Sequence, residues 1–398
     1  MQQVNEIMPD ELLESDEEQA DVAKSAKTDN EIEDAYKNLS FRVIYQSNNF
    51  FLPQIRDLIN GKEVINLRPE YQRRLRWAPK KKSQLIESLL LNIPIPPIFL
   101  YESEFARYEV MDGQQRLNAI HDFLENNFAL TGLDKLSFLD GRSYNKLPPN
   151  LRRGLDRASI SAIVLLQETK SDQSDPFIVR RYVFERLNTG GEPLNPQEIR
   201  NSIFRGAFND LIVRLARNNI FCRIFGIPEY TETDENEYYE NPDRQKNNLY
   251  RKMSDCQIIL RFFALLDDDH ISGSMRNILD NCMKRNQDAT SQFLNEYERV
   301  FISLITACNQ IFDGQAFLLP PDEKGKQRVS IALFDACMVA LYRRINRLAK
   351  FIEERDQIRI AIDKSLQTNL GLLTGKANTA QSIKDRISEI GKILDAVT

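Results

Sequence analysis

Apolar residues recur with mixed strand and helix periods over roughly the first 220 positions, and with helical period almost alone after residue 250. Short β-branched or alternating runs predict strands at Phe41–Tyr45, Val64–Leu67, Tyr108–Met111 and Ile160–Leu166, and Ile93–Tyr101 reads as a proline-rigidified entry that ends as a strand. Phe51 to Asn60 reads as a helix stopped by Gly61. Ser83 has the character of an N-cap for a helix that buries Leu85, Ile86, Leu89 and Leu90. A further helix follows Gly113, with Leu117, Ile120, Phe123 and Leu124 on one face, and another spans Phe177 to Leu187. Residues 131–157 are polar and contain Pro148-Pro149, which predicts loop with one short helix. Beyond residue 250 the periodic stretches are Ile258–Leu266, Met275–Met283, Phe293–Phe312, Ile331–Leu348 and Ala380–Leu394. The expected fold class is α+β: a mixed domain over residues 39–225, a linker or flexible loop over 226–250, and an all-α domain over 251–398.

Composition narrows the class. A chain of 398 residues with 42% hydrophobic content is long enough for two or three cores. No apolar run reaches the roughly 18 residues of a membrane span. No basic stretch leads into an apolar one at the N-terminus, so no signal peptide is expected. Five dispersed cysteines without a CxxC pair fit reduced, buried thiols, and the chain is expected to be cytoplasmic. The net charge of −5 is uneven. Residues 1–38 are densely acidic, with Lys24, Lys27 and Lys37 as their only bases, and the remainder is slightly positive. That arm is expected to be disordered, or a loose helix over about residues 12–36.

The most informative stretch is Asp112-Gly113-Gln114-Gln115-Arg116, set between a strand and a helix. A strand that turns through a glycine into a helix leaves its first amides without internal acceptors, and such ends favour phosphate. Arg116 in the first turn opposes the helix dipole unless an anion is present. The plainer reading makes Asp112 an N-cap and Arg116 a solvated side chain. A second stretch is basic: Arg68, Arg73, Arg74, Arg76, Lys80, Lys81 and Lys82 are opposed only by Glu70, with Tyr71 and Trp77 interleaved. It suits a phosphate-rich partner, or a charged loop ahead of a helix. A third ends a helix in Asn188-Thr189-Gly190-Gly191, after which Asn195, Pro196 and Glu198 have the form of a capping box.

Several chemistries are excluded. His121 and His270 are the only histidines, which removes paired-histidine metal sites and HNH-type nuclease centres. Gly371-Leu372-Leu373-Thr374-Gly375-Lys376-Ala377 is one residue short of a P-loop, lacks its Ser or Thr, and lies in a helical setting.

Three motifs in order carry a resemblance: Pro69-Glu70-Tyr71-Gln72-Arg73 with Trp77, Val110 to Leu117, and Phe184 to Leu194. Together they resemble the N-terminal domain of GmrSD-type, modification-dependent restriction enzymes, distantly similar to ParB and sulfiredoxin in fold. The resemblance covers about residues 45–210. It implies a nucleotide-binding, NTP-hydrolysing module of bacterial anti-phage defence that couples nucleotide turnover to DNA recognition. Catalytic roles would fall to Asp112, Gln115 and Arg116. Nucleotide contacts would come from Gln72, Arg73, Gly113, Gln114, Arg116, Asn188, Gly190 and Gly191. Arg74, Arg76, Lys80, Lys81 and Lys82 would meet DNA, and Asp112 would hold Mg2+. Many relatives append an HNH-like nuclease domain, absent here, so cleavage would fall to a separate subunit. A nucleotide-gated DNA-binding protein without hydrolysis is the second reading, and a metal-dependent nuclease the third. A homo-oligomer is compatible with the sequence, which sets no oligomeric state.

Overall fold

The computed structural model describes residues 6–7, 28–37, 43–60, 64–67, 77–166, 176–187, 194–233, 238, 241–374 and 379–397. The chain forms two compact units, Ser25–Leu194 and Asn195–Thr398, the latter joined by Met1–Lys24. The expected boundary lay later, at residue 225. The fold class is α+β: a small mixed sheet with helices, and a C-terminal region that is almost wholly helical.

The mixed unit is built on five strands: β1 (Tyr45–Phe51), β2 (Ile65–Asn66), β3 (Ile98–Glu104), β4 (Arg107–Asp112) and β5 (Ser159–Leu165). Their order is β1-β5-β3-β4-β2. The β1/β5 and β3/β4 pairs are antiparallel, whereas β3/β5 and β2/β4 are parallel. One face of this sheet carries Ile98, Leu100, Val110, Ile160, Ala162 and Val164, all at most 1% exposed. Helices α1 (Asp29–Lys37), α2 (Leu52–Asn60), α3 (Pro79–Leu90), α4 (Gln114–Leu124), α5 (Pro149–Arg157) and α6 (Pro176–Leu187) complete the unit. The core joins that sheet face to Leu52 and Ile55 of α2, Ile86 of α3, Leu117, Ile120 and Phe123 of α4, and Leu155 of α5. Each such side chain contributes about 1.5–3 kcal/mol by leaving water.

Several sequence expectations need correction here. The first strand is Tyr45–Phe51 rather than Phe41–Tyr45, whose first two residues lie outside the described set. Its pairing with β5 and the burial of Phe50 outweigh the polar run Gln46 to Asn49. Ser83 is not a cap. The helix begins at Pro79, whose fixed φ suits a first helical position, and the buried Ser83 hydroxyl donates to the Pro79 carbonyl at 2.8 Å. The acidic arm is not wholly without structure among its described residues. Thr28 and Glu31 exchange cap bonds (Thr28 N to Glu31 Oε2 2.7 Å, Glu31 N to Thr28 Oγ1 3.4 Å) and start α1. Glu6–Ile7 pairs parallel with Arg328–Val329.

In the helical unit, Asn195 caps the helix Pro196–Ile203 in the expected capping box with Glu198. The helices Ser254–Ala264 and Ile331–Tyr342 are buried on nearly every side, as central helices must be. Arg261 of the first and Asp335 of the second, 1% and 2% exposed, pair with Nε to Oδ2 at 2.9 Å. The segment expected to be a flexible linker contains the short helices Pro242–Lys246 and Asn248–Arg251. Arg244 is fully buried there and binds Glu232 Oε1 at 2.5 Å and the Glu229 carbonyl at 2.9 Å. Polar composition concealed this, because the organising residue is itself charged. No helix among the described residues is long and apolar enough to cross a membrane.

Candidate nucleotide site

The site is the junction between β4 and α4. Val110 and Met111 bury the end of the strand, and Asp112 is its last residue. Gly113 then turns the chain with φ 93°, in the left-handed region. Glycine is required twice over. A Cβ at this position would meet Ile98 Cγ2 at 2.5 Å and Arg116 Nη2 at 3.2 Å. Helical bonding starts with Leu117 N to Gly113 O at 2.9 Å. The amides of Gln115 and Arg116 therefore lie in the first turn, for which the helix supplies no acceptor.

Neither expectation for Asp112 and Arg116 describes them fully. Gly113, not Asp112, occupies the N-cap position, and no side chain caps the helix. Arg116 is not a solvated side chain, for its side chain is only 12% exposed. Nη2 donates to Asp112 Oδ2 at 2.8 Å. Nη1 donates to the Pro97 carbonyl at 3.1 Å and also to the Pro96 carbonyl. Proline lacks an N–H but keeps its carbonyl, so Pro96 and Pro97, just before β3, can both serve as acceptors for the guanidinium. Burial lowers the Arg116 pKa below its ordinary value, and the Asp112 carboxylate opposes that shift. A guanidinium stays charged regardless. The result is a cation held in place at a helix start, with Asp112 at 42% exposure beside it.

Gln115 links the junction to the basic stretch. Its Oε1 accepts the Trp77 amide at 3.1 Å, which holds the backbone just ahead of α3 against the start of α4. Lys81 lies over the Trp77 ring at 4.6 Å, within cation–π range. Lys82 is half-buried and bound to Asp122 at 2.7 Å. Lys80 is exposed. Gln114 is buried. Gln72, Arg73, Arg74, Arg76, Asn188, Gly190 and Gly191 lie outside the described residues.

Two supporting contacts had no clear sequence signal. Glu87 of α3, 5% exposed, accepts the amides of Asp134 (3.2 Å), Lys135 (2.7 Å) and Leu136 (2.7 Å). It pins the loop after α4. On the sheet face away from the core, Arg180 of α6 pairs with Glu109 of β4 and lies 4.3 Å over the Tyr101 ring. This ties the helix that ends at Leu187 to the strand that ends at Asp112.

The α+β domain thus carries a strand–glycine–helix junction with an arginine and an acid on a small mixed sheet. The family described as the GmrSD restriction endonuclease N-terminal domain matches residues 55–205 of the chain. The match includes the junction and all of its described partners. No curated protein matches the chain, and no solved structure does.

Proposed function

We propose that this chain is the nucleotide-binding, NTP-hydrolysing component of a bacterial DNA-restriction system directed against phage. The observation that carries the reading is the Gly113 turn, with the amides of Gln115 and Arg116 beside a held guanidinium. Triphosphate oxygens would take the amides, and Arg116 would exchange the Asp112 carboxylate and proline carbonyls for a phosphate through its planar fork. Asp112, released from that pairing, is the residue that would hold Mg2+. Its donor chemistry fits, since such sites commonly combine one or two carboxylates with the substrate's phosphates, and the ion would neutralise phosphate charge. Among the described residues no group of three or more His, Cys, Asp and Glu is placed to hold a metal by itself. Gln115 would position the attacking water, which requires its bond to Trp77 to open. The exposed Lys80 and the basic stretch before it would meet DNA phosphates, and a separate subunit would cut.

A second reading has one observation in its favour. With Oε1 of Gln115 given to a backbone amide, the site suits binding better than turnover. The chain would then be a nucleotide-gated DNA-binding protein. Phosphate release from ATP, GTP, CTP and UTP with Mg2+, with and without DNA, separates the two. Turnover abolished by Arg116→Ala supports the first. Nucleotide binding without release, together with salt-dependent DNA binding, supports the second.

A further inference from the structure

The edge of the sheet offers an independent observation. Among the described residues strand β1 pairs only with β5, and its seven residues contain no charge and no proline. Residues 43–51 as a whole are uncharged. Exposed edges of this length ordinarily carry lysine, proline or a bulge that stops further pairing. The bonds Leu166 N to Ile44 O and Leu52 N to Ala158 O flank the ladder at 3.0 Å each. With Tyr45 opposite Leu165 and Phe51 opposite Ser159, the even-numbered residues bond to β5. The amide and carbonyl groups of Tyr45, Ser47 and Asn49 therefore point out of the sheet, and all three residues are exposed. Phe51 differs, because its amide donates to Gln54 Oε1 at 2.9 Å.

We infer that β1 is a self-association edge, pairing antiparallel with β1 of a second copy about a twofold axis at Asn48. The strand is complementary to itself in this register. Tyr45, 61% exposed, falls opposite Phe51 of the other copy, 51% exposed, giving an aromatic pair at each end. Ser47 falls opposite Asn49, and these outward-facing residues exchange the new backbone bonds. Neutral side chains let identical strands meet without repulsion, which a charged edge would not. The inference does not depend on nucleotide binding.

Sedimentation of the full chain over a wide concentration range tests it, together with two variants. Ser47→Pro removes an outward amide and leaves the ladder to β5 intact. The expected result is a wild-type dimer whose dissociation constant rises at least about tenfold in Ser47→Pro. Asn48→Cys places two thiols at a non-hydrogen-bonded pair, with Cα atoms about 4.5 Å apart and within disulfide reach. All five native cysteines are buried, so an oxidised covalent dimer of Asn48→Cys would report this register. A wild-type monomer at every concentration overturns the inference. So does a dimer that neither responds to Ser47→Pro nor cross-links through residue 48, and if Ser47→Pro fails to fold, the cross-link alone decides.

Discussion

Arg116 reaches back across Gly113 to Asp112, Nη2 to Oδ2 at 2.8 Å, so the two charged residues of the turn neutralise one another. An anion entering the turn must compete with that pairing. Asp112→Asn should therefore loosen the hold on Arg116 and alter nucleotide binding in a metal-dependent way. The expected outcome is weaker NTP affinity with Mg2+, and a smaller difference between the presence and absence of Mg2+ than in the wild type, measured by calorimetry.

Gly113→Ala should destabilise the mixed unit. A left-handed alanine costs about 1–2 kcal/mol, and the clash with Ile98 adds to it because the neighbour is a stiff β-branched residue in the core. Urea denaturation should show a loss of at least about 2 kcal/mol. A variant as stable as the wild type would mean that the turn differs from the one described.

Glu87 gives a pH-dependent test of the loop it pins. Desolvation pushes its pKa up, but three backbone donors and the Lys135 charge outweigh that, and the carboxyl titrates below its ordinary value. A depressed folded pKa means stability that is present above the unfolded value, near about 4.3, and lost as pH falls through the folded one. Glu87→Gln keeps one acceptor oxygen, leaves at least one of the three amides without its partner, and should cost roughly 1–3 kcal/mol at neutral pH. The gap between wild type and variant should narrow in acid.

The Arg244–Glu232 pair makes a similar claim in the helical unit. The Arg244 hydrogen bond holds the Glu232 carboxyl down to about 2, against desolvation. Its contribution is complete above the ordinary glutamate range and is lost between that range and pH 2. Glu232→Ala would strand a fully buried guanidinium, at a cost of about 3 kcal/mol. Thermal denaturation at pH 7 and in acid should show a large difference that shrinks with falling pH.

Trp77, the only tryptophan, reports on the junction through Gln115. Gln115→Ala should shift its emission toward that of a solvated indole. Saturating nucleotide should shift the wild-type spectrum as well, if the Gln115 bond opens on binding. An emission unchanged by both would remove Gln115 from the site.

Local chemistry made some elements legible in sequence. The strand, glycine and helix of residues 107–124 have adjacent periods of two and 3.6 with a single breaker between them. The Asn195–Glu198 capping box is complete within four residues. What stayed hidden depends on partners distant in sequence. Arg116 finds its acceptors at Pro96 and Pro97, Glu87 receives amides from residues 134–136, and Arg244 is buried by virtue of Glu232. Strand β1 was misplaced for the same reason, since its polar face is supported by pairing with β5 and not by its own pattern.

The central claim is that a nucleoside triphosphate binds at the Gly113 turn through Arg116. Thermal denaturation of the wild type and Arg116→Ala with each NTP and Mg2+ tests it directly. At about a hundred times its Kd, a ligand adds about 2.7 kcal/mol, so at least one NTP should raise the wild-type melting temperature and leave a folded Arg116→Ala unmoved. Equal shifts in both proteins, or none with any nucleotide, would contradict it.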